Sequence, residues 1–227
     1  RPEMNQLTRS QDPVGAVLVV GGGIGGIQTS LDLAESGFKV YLLEKNISIG
    51  GTMAQLDKTF PTLDCASCIF TPKTVEVARN KNIELLVCSE VVEVKGHVGN
   101  FKVTIRKQPT YVDHNRCTGC GDCVEACVLK KGVPSEFEES MARRRAIYIA
   151  FPQAVPLKAV VDKESCLLLS KGKCKKSCIE ACKAGAIDFE QKEEVIEREV
   201  GSIILATGFD LYDPHLLPQY GYGVYEN

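Results

Sequence analysis

Four of the eleven cysteines in this chain of 227 residues stand in one short run. Cys117, Cys120, Cys123 and Cys127 have the spacing C-x2-C-x2-C-x3-C. Thiolates at this spacing reach three irons of one cubane from a single loop, and the fourth, at a helix start, usually serves another cluster in two-cluster proteins. Zinc sites pair their ligands differently, and disulfide frameworks belong to small secreted domains. The run therefore predicts iron-sulfur ligands.

A second group of cysteines follows with the gaps x7, x3 and x3. The segment Ala159-Val160-Val161-Asp162 precedes this group as Tyr111-Val112-Asp113 precedes the first, which indicates an internal repeat. If the crossed ligation of two-cluster proteins holds, each cluster takes its fourth ligand from the other run. The first predicted set is Cys117, Cys120, Cys123 and Cys182, and the second is Cys166, Cys174, Cys178 and Cys127.

Composition favours a globular protein and argues against nucleic-acid-binding and membrane-spanning classes. A hydrophobic content of 44% is ordinary for a globular core, and the net charge of -2 offers no field for nucleic acid. Eleven cysteines without a signal-like beginning predict a reducing compartment, and so a cytoplasmic protein. No apolar run approaches the roughly 20 residues of a membrane helix, so any membrane attachment is expected through partners.

The N-terminal third carries a nucleotide-binding pattern. The apolar strand Ala16 to Val20 enters Gly21-x-Gly23-x-x-Gly26, a helix runs towards Gly37, and the strand Lys39 to Leu43 ends at Glu44. The glycines let the backbone approach a pyrophosphate at the helix N-terminus, and the acid accepts ribose hydroxyls. Glu44 favours FAD or NAD over NADP; the alternative is a helix turn packed closely on its strand.

Further residues of this site are expected where other strands end and where glycine lets the backbone come close. The complete predicted set is Gly21, Gly23, Ile24, Gly25, Gly26, Glu44, Lys45, Gly50, Gly51, Ala206, Thr207 and Gly208.

Cys65 and Cys68 form an isolated C-x-x-C pair. They are interpreted as half of a further metal cluster, as a redox dithiol beside a flavin, or as two buried small residues. Thr71-Pro72 predicts the N-cap and first residue of a short helix after them.

Alternating polarity predicts a hairpin from Val91 to Arg106, a strand from Glu194 to Val200, and a buried strand before Gly208. The simplest α/β topology makes residues 108–190 an insertion between strands of a meander. We therefore expect a linker or cut end at 1–14 and an incomplete Rossmann-type domain at 15–107 plus 191–227.

Two groups of basic residues in the insertion can each be interpreted in two ways. Arg143 to Arg145, within a segment longer than two cluster motifs need, indicate a solvated loop or a docking surface. The lysines near the second set indicate a solvated face or an attraction for an acidic carrier; they are Lys171, Lys173, Lys175, Lys176 and Lys183. The three histidines are expected at the surface; they are His97, His114 and His215.

The sequence resembles the A subunit of heterodisulfide reductase. The resemblance is carried by the glycine turn, Ile49 to Thr62, Asp64 to Cys68, the run Cys117 to Cys127 and Ala206-Thr207-Gly208. It implies a thioredoxin-reductase-like FAD domain with an inserted two-cluster ferredoxin domain. In that family FAD takes an electron pair and sends single electrons along 4Fe-4S clusters, in some members as flavin-based bifurcation.

The family also implies partners, namely B and C type subunits, ferredoxin, and a hydrogenase or formate dehydrogenase as electron donor. The residues are also compatible with two other functions. One is a ferredoxin-type relay without functional flavin, and the other is a flavin-dependent disulfide reductase using Cys65 and Cys68.

The chain departs from the family pattern. The family's N-terminal domain, second nucleotide half and C-terminal ferredoxin domain have no counterpart here, so a fragment or split subunit is expected. The gap between Cys174 and Cys178 is one residue longer than usual, and Val128 and Lys183 stand where proline usually follows the last cysteine of each run.

Overall fold

The computed structural model describes residues 12–209 and 212–225. Most of the predicted linker at 1–14 therefore lies outside the described residues. The strands are β1 Ala16–Val20, β2 Lys39–Leu43, β3 Lys58–Thr59, β4 Asp64–Cys65, β5 Ile83–Leu86, β6 Ser89–His97, β7 Asn100–Lys107, β8 Val133–Pro134, β9 Arg143–Arg144, β10 Ile147–Tyr148, β11 Val160–Val161, β12 Glu194–Val200 and β13 Ser202–Leu205. The helices are α1 Ile24–Glu35, α2 Ala66–Arg79, α3 Asp122–Glu125, α4 Leu167–Lys171 and α5 Ser177–Ala181, with 3-10 turns at Gly51–Gln55, Pro214–Leu216 and Pro218–Tyr220.

A parallel sheet of order β13-β1-β2-β5 forms the centre of the part that contains the glycine turn. β1 is buried on both faces. Val17 and Val19 pack with Ile27 and Leu31 of α1, whereas Ala16 and Leu18 pack with the other layer. Continuous apolar runs are typical of parallel strands covered on both faces, so this strand prediction is confirmed.

The other layer is an antiparallel sheet of order β12-β7-β6. Val103, Ile105 and Val200 are fully buried against the parallel sheet. β6 and β7 form the predicted hairpin, and β12 has the predicted bounds. Lys107 pairs with Glu194, so the chain leaves the meander after β7 and returns at β12.

The excursion between β7 and β12 has two similar halves around its own core. Before the first cysteine run, the Asp113 carbonyl accepts the Cys117 N–H at 2.9 Å and the Asp113 side chain accepts the Asn115 N–H. Before the second, the Asp162 carbonyl accepts the Cys166 N–H at 3.0 Å and the side chain accepts the Glu164 N–H. The internal repeat predicted from sequence is thus present in the backbone.

The predicted start of helix α2 is wrong. α2 begins at Ala66, five residues before Thr71, and Pro72 lies inside it. Its N-cap is Cys65, whose sulfur accepts the Cys68 N–H at 3.3 Å. Among the helices of the described segments, none is both long and apolar enough to cross a membrane.

Candidate functional site

The glycines of the turn after β1, where the sequence predicts a pyrophosphate, have two different surroundings. A Cβ on Gly26 would lie 1.9 Å from the Gly21 carbonyl oxygen, and one on Gly21 would lie 2.2 Å from that of Ala206. Only glycine fits either position. At Gly23 and Gly25 an added Cβ would meet nothing within 4 Å, and α1 has no side-chain N-cap. The first N–H groups of a helix favour an anion, and α1 caps none of them with a side chain.

Glu44 lies at the end of β2, only 6% exposed, and contacts the glycine turn. One carboxylate oxygen accepts the Gly22 N–H at 2.7 Å, and the other accepts the Asn46 N–H at 2.8 Å. Each oxygen keeps a second acceptor site, as ribose hydroxyls need. The sequence did not predict that Glu44 also fixes the turn.

The remaining predicted nucleotide residues lie at the same edge of the parallel sheet. The Gly50 N–H donates to the Gly22 carbonyl at 2.8 Å, and a Cβ on Gly51 would lie 3.0 Å from the Gly23 Cα. Ala206 follows β13 beside Gly21, and Lys45, Thr207 and Gly208 are exposed. The carboxyl ends of parallel strands are where doubly wound sheets bind ligands.

The first predicted cysteine set lines one cavity of about 400 Å³. Its walls include Cys117, Cys120, Cys123 and Cys182. Three of these thiols come from the loop before α3 and its first turn, and Cys182 follows α5. The Ala186 N–H donates to the Cys182 sulfur at 3.3 Å, a contact that stabilises a thiolate.

The second predicted set lines a separate and much smaller cavity of about 20 Å³. Cys127, Cys166, Cys174 and Cys178 face it among apolar side chains such as Leu129 and Ile147. The Lys176 N–H donates to the Cys174 sulfur at 3.4 Å. The structure thus brings each crossed set together, with Cys127 and Cys182 exchanged between the runs.

The thiols interact within each set. Burial, followed by the charges of Cys117, Cys182 and Cys120, raises the pKa of Cys123 to about 12. Burial and then Cys174, Cys127 and Cys166 raise the pKa of Cys178 to about 11, with a hydrogen bond from the Ile179 backbone acting against them. Four such thiols ionise together only beside a strongly positive centre.

The donor type of each set is that of an iron-sulfur cluster. Within residues 12–209 and 212–225, no three His, Cys, Asp or Glu side chains converge on one metal position. Four thiols around a cavity are the donor set of a cubane, in which each cysteine binds a different iron. The first cavity, of about 400 Å³, has room for such a group, whereas the second, of about 20 Å³, would have to widen to hold one.

Cys65 and Cys68 are both exposed, so the interpretation as buried small residues is wrong. Their sulfurs are 2.7 Å apart. Hydrogen bonds from the Cys68 side chain and backbone lower the pKa of Cys65, whereas the same side-chain contact raises that of Cys68. The two thiols therefore differ, with the lowered pKa at Cys65 and the raised pKa at Cys68.

The arginine run is not simply a solvated loop, because Arg144 and Arg145 are half-buried and only Arg143 is exposed. Arg144 is only 10% exposed, pairs with Glu136 and with Asp162 at 3.1 Å, and lies 4.0 Å over the Tyr148 ring. Arg143 and Arg145 donate to the carbonyls of Lys131 and Leu129. All three arginines hold the insert together.

The predictions for the lysines near the second set and for the three histidines have different outcomes. The five lysines near the second set are all exposed, as the solvated-face interpretation requires. His97 and His215 are exposed too. His114 is half-buried, burial lowers its pKa, and its Nε2 has no partner among the described residues.

Several residues beside the cysteine and glycine sites carried no signal in the sequence. The Lys158 ammonium donates to the Cys117 carbonyl. Ser48 and Ile49 bond to Val155 of the insert, and Phe151 of the insert packs on Phe70 of α2. Each contact joins segments distant in the chain, which no local spacing reveals.

A family model for an "NAD(P)-binding Rossmann-like domain" matches residues 19–79. These residues contain the glycine turn, α1, β2 and α2. The nucleotide-binding architecture of this part is therefore that of a Rossmann-like domain.

Among solved structures, L-proline dehydrogenase from P. horikoshii is similar, with a TM-score of 0.37 and 21% identity over 43% of this chain and 20% of that one.

Curated relatives match most of the chain. It is 53% identical to the A subunit of the "H(2):CoB-CoM heterodisulfide,ferredoxin reductase" of Methanothermobacter thermautotrophicus over 92% of this chain and 31% of that protein. It is also 53% identical to an iron-sulfur A subunit of the "CoB--CoM heterodisulfide reductase" of Methanopyrus kandleri, over 95% and 32%. The chain thus spans about a third of the length of the relatives it matches. Over that span, the sequence belongs to the family of heterodisulfide reductase A subunits.

Proposed function

We propose that this chain is an electron-transferring flavin and iron-sulfur subunit of a heterodisulfide-reductase-like complex. Residues 15–107 plus 191–227 form its FAD domain, and residues 108–190 form an inserted ferredoxin domain. The observation that carries the proposal is the grouping of eight cysteines into two cavities within one insert of a Rossmann-type domain.

The residues of the chain have separate tasks in this function. FAD, when bound, exchanges two electrons, whereas each 4Fe-4S cluster exchanges one. The glycine turn and the N-terminus of α1 hold the pyrophosphate, and Glu44 holds the ribose. The first cysteine set and the second set each bind one cluster. The Lys176 N–H donates to the Cys174 sulfur and the Ala186 N–H donates to the Cys182 sulfur. These hydrogen bonds would raise the potentials of bound clusters by stabilising the added negative charge.

The partners follow from the family. The name of the Methanothermobacter relative includes hydrogen, a heterodisulfide and ferredoxin. B and C type subunits, a hydrogenase or formate dehydrogenase, and ferredoxin are therefore the proposed partners, with flavin-based bifurcation as one mode of the complex. Eleven free cysteines favour a reducing cytoplasm.

Iron and flavin content tests the proposal. We expect about eight irons and one FAD per chain in protein purified without oxygen, since two cubanes need eight irons. Apoprotein reconstituted with FAD alone is the control for adventitious iron. Iron without flavin would support the relay without functional flavin, and neither cofactor would refute the proposal.

A second role is favoured for Cys65 and Cys68 by their exposed, closely spaced sulfurs and the lowered pKa of Cys65. In that role the pair exchanges electrons with the flavin as a dithiol. A Cys65→Ser variant should then lose disulfide-dependent turnover with unchanged iron content. If iron is lost with the cysteine, the pair instead contributes ligands to a further cluster.

A further inference from the structure

One segment of the insert, residues 151–159, which we call the strap, contacts both the nucleotide-binding part and the first cysteine set. Its first half is held by residues beside the glycine turn. Phe151 is 8% exposed; its ring lies 6.3 Å from the Phe70 ring, edge to face, and 4.5 Å from the Phe137 ring in a stacked arrangement. Ile24, the first residue of α1, packs in the same cluster. The strap therefore touches the helix end that faces the pyrophosphate position.

Hydrogen bonds fix the middle of the strap to the same edge of the parallel sheet. The Ile49 N–H donates to the Val155 carbonyl at 2.9 Å, and the Val155 N–H donates to the Ser48 hydroxyl oxygen at 3.0 Å. Ser48 is buried and directly precedes Ile49 and Gly50, whose N–H donates to the Gly22 carbonyl. The short run from Ser48 to Gly50 thus links the glycine turn to the strap.

The second half of the strap supports the first cysteine set. A Cβ on Gly119 would lie 2.5 Å from the Leu157 carbonyl oxygen, so the cysteine loop packs tightly there. Lys158 donates to the Cys117 carbonyl, and Ala159 lines the first cavity. Within the described part of the chain, the residues that line the second cavity all lie outside the strap.

We propose that the strap positions the first cysteine set against the nucleotide site, so that this set exchanges electrons with the flavin and the second set receives them afterwards. The inference rests on the proposed function. In each step one electron leaves the reduced flavin and reduces the first cluster by one electron, and any proton released by the flavin goes to solvent. The cluster is oxidised again when it passes the electron to the second set.

Ser48 offers the mildest way to loosen the strap. Ser48→Ala removes the hydroxyl that bonds to Val155 and leaves every cysteine and glycine in place. Met141→Ala is the matched control, because Met141 belongs to the insert and is 84% exposed. Iron per chain is measured in both variants of the intact protein, purified without oxygen.

The first measurement is hydrogen exchange with and without added FAD. We expect FAD to slow exchange at residues 49–51, in the strap and in the loop 117–121, and to leave residues 166–172 unchanged. Ser48→Ala should lose the protection at 117–121 and keep that at 49–51, whereas Met141→Ala should behave like the parent protein. FAD binding without protection of the first cysteine loop would overturn the proposal.

The second measurement separates positioning from a general loss of structure. The midpoint potentials of both clusters should be unchanged in Ser48→Ala, while electron transfer from flavin to the first cluster slows by at least about tenfold, because small displacements of reacting groups have large kinetic effects. Earlier reduction of the second cluster, or an unchanged rate, would refute the inference. Absence of FAD binding in the parent protein would refute the proposed function instead.

If Ser48→Ala loses iron, Phe151→Leu replaces it as the test variant, since leucine keeps an apolar contact with Phe70. A slower transfer with full iron content is again the expected result, and a rate equal to that of the parent protein contradicts the inference.

Discussion

Gly26 has no side chain because a methyl group there would lie 1.9 Å from the Gly21 carbonyl oxygen. Its neighbour Gly25 has nothing within 4 Å of the same position. Glycine is therefore needed for a different reason at each position. Gly26 permits close packing of the helix on the strand, and Gly25 leaves room for a ligand.

This difference predicts opposite effects of alanine on stability. Gly26→Ala should lower the free energy of unfolding by about 2 kcal/mol, since the added methyl group overlaps the backbone. Gly25→Ala, the matched control, should leave stability unchanged or raise it by up to about 1 kcal/mol through the lower entropy of the unfolded chain. Urea denaturation followed by circular dichroism measures both. Equal destabilisation would contradict the assignment.

Cys88 is buried and holds a left-handed backbone conformation with φ of 52°. Its N–H donates to the Asn46 carbonyl and its carbonyl accepts the Gln108 N–H, so it joins the segment after β2 to the start of the insert. Burial raises the pKa of its thiol from 9.0 to about 11, although the nearby Lys107 acts in the opposite direction.

The raised pKa of Cys88 predicts a loss of stability at high pH. Below pH 9 the thiol is neutral in both states, and between pH 9 and 11 the unfolded chain loses its proton first, which lowers the free energy of unfolding by about 2 to 3 kcal/mol. The comparison is between the parent protein and Cys88→Ala at pH 8 and pH 10.5. A fall of equal size in both proteins would show that Cys88 is not the cause.

At the scale of elements, α2 shows why local signals misplace a helix start. Thr-Pro is typical of an N-terminus, yet α2 begins five residues earlier and includes Pro72 in its interior. Phe70, in the second turn, is 1% exposed against Phe151 of the insert. Burial of this ring stabilises the early turns, and Cys65 supplies the cap that the sequence did not suggest.

Arg144 of β9 joins two elements of the insert, because its guanidinium contacts Glu136, Asp162 and the Tyr148 ring. Asp162 in turn accepts the Ser165 hydroxyl and holds the Cys166 N–H through its carbonyl. A buried cation therefore supports the loop that presents the second cysteine set, and the first half has an aspartate, Asp113, at the equivalent place.

Removal of this cation should affect the insert selectively. Arg144→Met should lower the free energy of unfolding by about 2 kcal/mol, less than a fully buried pair would lose because Glu136 is largely exposed. Arg143→Met, which removes an exposed side chain bonded only to carbonyls, should cost less than about 1 kcal/mol. Denaturant unfolding measures the loss of unfolding free energy in both variants. A larger loss for Arg143→Met than for Arg144→Met would contradict the supporting role of Arg144.

At the scale of the molecule, the insert begins and ends at one place in the meander, where Lys107 pairs with Glu194. Its two halves exchange their last cysteines, so each cavity contains residues from both runs. Loss of one cysteine should therefore act on the cluster of the other half.

The exchange predicts which cluster each substitution changes. Cys127→Ser should alter the electron paramagnetic resonance signal of the cluster bound by Cys166, Cys174 and Cys178, and Cys182→Ser should alter that of the first run, because each removes a thiolate from the opposite cavity. Cys88→Ser, a cysteine outside both cavities, is the control. If Cys127→Ser changes only the cluster of Cys117, Cys120 and Cys123, ligation is local and the crossed assignment is wrong.

The sequence by itself determined the local parts of this protein. β1, the glycine turn, α1 and β2 follow from apolar runs and glycine spacing, and the cysteine runs with their preceding Val-Asp pairs follow from repeated local patterns. Only the tertiary structure decided the start of α2, the partial burial of Arg144 and His114, the hydrogen bonds of Glu44 to the glycine turn, and the contacts of the strap. These depend on residues distant in the chain, such as Ser48 and Val155, 107 positions apart. Periodicity reports which face of an element is apolar, but packing selects the surface that covers it.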